Sequence, residues 1–76
     1  MYPEEDIRPY ADALQQAVEK GDTDAIKALG DELFGLGGMT AMHQTHRVYT
    51  RLYGDHPKGA PRLVDMAWRG IGQWLG

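Results

Sequence analysis

Residues 35–38 read Gly35-Leu36-Gly37-Gly38, and they interrupt a chain whose apolar residues otherwise recur at helical spacing. Adjacent glycines lose the most conformational freedom on ordering and readily take positive φ, so this stretch is the strongest breaker in the sequence and predicts a sharp turn or hinge. N-terminal to it, Ile26, Leu29, Leu33 and Leu36 step by three or four residues, the spacing of one helix face. Asp22 or Thr23 is placed to cap that helix, and Asp24 suits the positive end of its dipole. Gly21 closes an earlier segment in which Ile7, Tyr10, Ala11, Leu14, Ala17 and Val18 share a narrow apolar stripe. That first helix is expected to begin between Asp6 and Pro9, because a proline deep in a helix removes a backbone bond and clashes with the preceding turn. With so short a link at Gly21, helices one and two are predicted to form an antiparallel hairpin.

C-terminal to the breaker, Thr40 is a candidate cap for a third helix running to about Tyr53, with Gly54 just past its end. A polar, turn-rich loop follows from Asp55 to Gly59, and Pro61 suits the first turn of a fourth helix reaching toward Leu75. On that fourth helix Leu63, Val64, Met66, Ala67, Trp68, Ile71, Trp74 and Leu75 spread over about 200° at helical spacing, wider than a one-sided stripe. Such a helix is either central or an association surface. Gly70 and Gly72 within it would each cost about 1 kcal/mol relative to Ala, which close helix approach could offset. No stretch alternates with period two for long enough to suggest a strand. The expected fold class is therefore all-α: a compact bundle of about four short helices in one domain over residues 1–76, with an acidic hairpin in 1–38 and a basic helical half in 39–76.

Composition narrows the chemistry. The 76 residues include no Cys, so disulfides, thiolate metal sites and thiol catalysis are excluded, and the absence of Ser and Asn removes serine nucleophiles and Asn-supported triads. Hydrophobic residues at 42% and charged residues at 25% match ordinary folded usage, so disorder is not expected. No segment approaches the roughly 20 apolar residues of a membrane span, and the N-terminus is acidic where a secretory signal is basic, so a cytoplasmic address is expected. Net charge is −3, divided as −6 over residues 1–38 and +3 over residues 39–76.

Four constellations could carry function. The run from His43 to Tyr53 mixes bases with aromatics, but helix geometry puts Arg47 and Arg51 with Gln44 on one side and Tyr49 and Tyr53 with Met42, Val48 and Leu52 on the other. The first set is expected to be solvated and the second to be core. With Gly38 as the turn glycine of a helix-turn-helix reader, Phe34 and Gln44 fall where a small and an apolar residue belong, so direct nucleic-acid binding is not expected. His43 and His46, three apart, could approach a metal with His56 or Asp55 as third ligand; the main expectation is no cofactor. Trp74, if left at a rim, and Phe34, which points away from its helix stripe, are the candidate apolar anchors for a partner. Glu5, Asp12 and Glu19 on helix one, and Asp24 and Asp31 with Glu32 on helix two, repeat at seven residues and stack about 10.5 Å apart on one face of each helix.

These features predict a non-enzymatic, protein-binding module whose acidic face, formed by Asp12, Glu19, Asp24, Asp31 and Glu32, meets a basic partner surface. In size, charge and lack of catalytic residues the chain resembles small acidic phage inhibitors of the anti-CRISPR and anti-restriction kind. That resemblance implies a partner surface on a nucleic-acid-binding host complex. The alternatives are a self-associating accessory subunit, in which the fourth helix packs against its twin in a homodimer, and a small metal-dependent factor using His43 and His46.

Overall fold

Asp22 and Gly21 set the first corner. In the computed structural model, which describes residues 2–54 and 60–74, the chain forms α1 (Glu4–Glu19), α2 (Thr23–Tyr53) and α3 (Ala60–Trp68), with no strand among the described residues. Gly21 takes φ 65° just past α1; its N–H donates to the Val18 carbonyl at 3.0 Å and the Asp22 N–H to the Ala17 carbonyl at 2.9 Å. This pair of bonds closes the helix end and satisfies carbonyls that would otherwise face solvent. The Asp22 carboxylate then accepts from the Ala25 N–H at 3.1 Å and caps α2.

The start of α1 differs from expectation. α1 begins at Glu4, so Pro9 lies inside it. Three acids occupy the first turn, where the helix dipole favours them, and the Pro3 carbonyl accepts from the Asp6 and Ile7 N–H groups, so the turn ahead of Pro9 is anchored. Tyr2 is anchored as well. Its N–H donates to Gln44 Oε1 at 2.9 Å, its carbonyl accepts from Gln44 Nε2, and its hydroxyl donates to the Leu36 carbonyl at 3.2 Å.

Three helices are present rather than four, because the glycine break produces no loop. Gly37 (φ −153°, ψ 21°) and Gly38 (φ 65°, ψ −151°) leave helical geometry, yet helical hydrogen bonding resumes at once and α2 continues to Tyr53 as one kinked element. Thr40 lies two residues past Gly38, at the beginning of the second helical stretch of α2. The Tyr2 ring lies on Gly37, leaving no room there for a Cβ. Leu36, at the edge of the break, leaves its predicted stripe and is exposed.

The predicted fourth helix stops early. α3 ends at Trp68, and Gly70 (φ 92°) and Gly72 (φ 56°) turn the following segment back toward the body, with the Ile71 N–H donating to the Trp68 carbonyl and the Trp74 N–H to the Ile71 carbonyl. The glycines serve the turn and are not part of a helix–helix crossing. This also explains the 200° arc: Ile71 and Trp74 do not lie on the helical wheel, and both are buried. Leu75 and the loop from Asp55 to Gly59 lie outside the described residues.

Ile7, Ala11, Leu14, Ile26, Leu33, Ala41, Met42, Val64 and Trp68 form the fully buried centre. α2 and α3 approach each other closely at Gly30. The Trp68 indole Nε1–H donates to the Ile26 carbonyl at 2.7 Å, and the ring lies so close to Gly30 that a Cβ there would be 2.6 Å from it. The radius of gyration, 11.0 Å, is near the roughly 11 Å of a compact chain this long. Among the described residues no helix is long and apolar enough to cross a membrane.

Candidate functional site

The acidic residues do not behave as one set. On α1, Asp12 is half-buried and internally engaged: it accepts from Tyr53 Oη at 2.6 Å and from Arg8 Nε at 3.0 Å. The Tyr53 hydroxyl first, and then Arg8, hold the Asp12 carboxyl below the usual carboxylate range, while the same bonds raise Tyr53 and Arg8. Glu4 pairs with Arg51 of α2 and ties the acidic half to the basic half. Glu5 and Glu19 stay exposed.

On the first half of α2 the situation is different. Asp24, Asp31 and Glu32 are all exposed, and none is in an ion pair among the described residues. Helical spacing sets Asp24, Ala28, Asp31 and Gly35 in one outward line, with Glu32 at its flank. Phe34 and Leu36, on the same stretch, are 42% and 49% exposed. The Phe34 ring edge rests against Gly72, so its position is fixed by the C-terminal turn although much of the ring faces outward.

Trp74 is placed otherwise. It is only 7% exposed, stacks on His43 with ring centroids 4.7 Å apart, and meets Trp68 edge-on at 4.9 Å and His46 at 5.4 Å. Its ring joins α2 to the C-terminal turn and is not a rim anchor. With Val64, Trp68 and Ile71 also buried, Met66 at 63% is the most exposed apolar residue on the described part of α3.

His46 lies partly buried between α2 and α3, with Nε2 3.6 Å from Asp65 Oδ1, beyond hydrogen-bond reach. Burial lowers its pKa from the ordinary histidine value; Asp65 opposes that shift and His43 adds to it. Among the described residues no group of three or more His, Asp or Glu is placed to hold a metal ion, and one face of the exposed His43 ring is stacked on Trp74. His56 and Asp55, the proposed third ligands, lie outside the described residues.

The outward face of the second half of α2 is basic. His43, His46, Arg47, Thr50 and Arg51 line an open depression of about 550 Å³. Gln44, expected on this solvated face, is buried, because its amide is committed to the Tyr2 backbone. Of the residues expected in the core, Met42, Val48 and Tyr49 are buried and Tyr53 is half-buried, whereas Leu52 is 37% exposed.

Three organising residues escaped the sequence reading: Gly30, Gln44 and Tyr53 in its role as donor to Asp12. Gly30 alone had a local signal, a glycine between Ile26 and Leu33 on the apolar face, where close approach is the usual reason. Compared with known proteins, the chain matches no family model, no curated protein and no solved structure.

Proposed function

We propose that the chain is a non-enzymatic protein-binding module that occupies a basic surface of its partner with the first half of α2. One observation carries this reading: Asp24, Asp31 and Glu32 are exposed and in no ion pair among the described residues, on the stretch that also exposes Phe34 and Leu36. Glu4 and Asp12 of α1, by contrast, are used inside the molecule. Free carboxylates steer the encounter and set orientation, whereas an aromatic ring that becomes buried slows dissociation. Both components lie on one helical stretch, Phe34 and Leu36 flanking the acidic line on opposite sides, so a partner that embraces this stretch engages them together.

The face is held by α1 and the first half of α2 packed as an antiparallel hairpin, an arrangement supported by the tight corner at Gly21 and by Tyr2 reaching Leu36 at the other end. The resemblance to small acidic phage inhibitors suggests what kind of basic surface is met: one that otherwise holds nucleic acid. The module would act by occupation, without bond-making.

The test is affinity capture from a lysate of the source cells at low and high salt, comparing the wild type with Asp24→Lys/Asp31→Lys/Glu32→Lys. The captured species should be lost from the variant and weakened by salt in the wild type, since exposed charges are screened over about 10 Å at 0.1 M. Equal capture by the variant at both salts would refute the proposal.

A further inference from the structure

We infer that the open basic depression on the second half of α2 docks the acidic first half of α2 from a second copy of this chain. The single kinked helix carries opposite charge on its two stretches. Residues 23–38 contain three acids and one base, whereas residues 39–54 contain two arginines, two histidines and no acid. No ion pair among the described residues joins the two stretches to each other, so this complementarity is not satisfied within one molecule.

The depression is suited to carboxylates. His43, Arg47, Thr50 and Arg51 line it, and Arg51 already receives a carboxylate, that of Glu4 from α1. Arg47 is exposed and in no ion pair among the described residues. Arginine offers a planar fork of donors that matches a carboxylate in two-point contact, so Arg47 is the natural receptor for an incoming Asp31 or Glu32.

The dimensions agree. At a rise of about 1.5 Å per residue, the row His43, Arg47, Arg51 spans about 12 Å and the Asp24–Asp31 pair about 10.5 Å. The other positions of that outward line are small, Ala28 between the two acids and Gly35 one turn beyond Asp31. Ala28 is exposed, and an added Cβ at Gly35 would meet nothing within 4 Å. A narrow ridge of this kind can enter a shallow groove without moving large side chains. The contact joins unlike surfaces, so it closes as a dimer when it forms twice between the same two copies and extends head to tail otherwise.

Self-association and partner binding then compete for the same acidic stretch, although the self-contact needs no partner to exist. Exposed ion pairs contribute little each, so the association is weak and depends on salt.

Sedimentation equilibrium of the purified chain from micromolar to millimolar concentration tests the inference. At low salt the mean mass should rise above one chain with concentration, and at 0.5 M NaCl it should return to one chain. Arg47→Glu alone and Asp31→Lys alone should each weaken association about tenfold, the size of roughly 1.4 kcal/mol. The double variant carrying both swaps, and an equimolar mixture of the two single variants, should recover most of it, because each restores opposite charge across the contact. One-chain mass throughout at low salt would overturn the inference, as would association indifferent to salt and to both single swaps. Far-ultraviolet circular dichroism checks each variant's fold; should one unfold, the salt dependence of the wild type decides alone. Partner capture by Arg47→Glu, which keeps the acidic stretch intact, separates this inference from the proposed function: it should persist even where self-association is lost.

Discussion

Replacing Gly30 with Ala should destabilise the protein, although alanine is the better helix former. The added Cβ would sit 2.6 Å from Trp68 Cδ1 and Nε1 and 2.9 Å from Ile71 Cδ1. Neither side chain can retreat cheaply: Trp68 is fully buried and its Nε1–H is bonded to the Ile26 carbonyl, one turn before Gly30 on the same face. Overpacking of this kind costs about 1–3 kcal/mol, and displacing the indole sacrifices a buried hydrogen bond worth about 1 kcal/mol. Helix propensity returns about 1 kcal/mol, so the net loss is about 1–3 kcal/mol. For a domain of this size that corresponds to a fall in melting temperature on the order of 10 °C. Gly35→Ala supplies the matched control. It is the same substitution in the same helix, with no atom within 4 Å of the new methyl, and it should raise stability by about 0.5–1 kcal/mol. Thermal melts followed by circular dichroism at 222 nm measure both. Equal or greater stability of Gly30→Ala would refute the packing of α2 against α3 described above.

Protonation of His46 should weaken the fold. Burial depresses its pKa below the ordinary 6.5, so below about pH 6.5 the unfolded chain binds a proton that the folded chain resists, and stability falls with decreasing pH until the folded value is passed. Denaturant titrations between pH 7.5 and 5 should show this slope in the wild type and a smaller one in His46→Gln. Trp74→Ala should cost about 3–5 kcal/mol by emptying a buried site, seen as a lowered denaturation midpoint, whereas Phe34→Ala, at a ring that is 42% exposed, should lower it less. Adding zinc should not raise the melting temperature, because no group of three candidate ligands converges among the described residues; a rise abolished by His46→Ala would revive the metal alternative.

The parts of the fold that follow from period and caps were legible. The α1 stripe is buried or half-buried at every position named, and the Gly21–Asp22 corner forms as its residues demand, because both depend on neighbours within one or two turns. The fourth helix misled for a physical reason: a period read along the chain continues through Gly70 and Gly72, but the backbone does not, so buried Ile71 and Trp74 looked like a broad helical face. The glycine break was visible, yet nothing local shows whether a helix restarts with or without a loop. Gln44 sits beside Arg47 on the wheel, and only its partner Tyr2, 42 residues away, draws it inward. Asp12 counted as surface acid for the same reason, since Tyr53 reaches it from 41 residues on. The acids of α2 were correctly read as exposed, because nothing distant competes for them among the described residues.

The central claim, that the first half of α2 is the docking face, is tested most directly by comparing two charge reversals in the same capture experiment. Asp24→Lys/Asp31→Lys/Glu32→Lys changes exposed acids of α2, in no ion pair among the described residues, and Glu5→Lys/Glu19→Lys changes exposed acids of α1. The first variant reverses three carboxylates on α2 and the second reverses two on α1. Capture should be lost with the first, largely through slower association, and kept with the second. Capture kept with the α2 variant, or lost equally with both, would contradict the account.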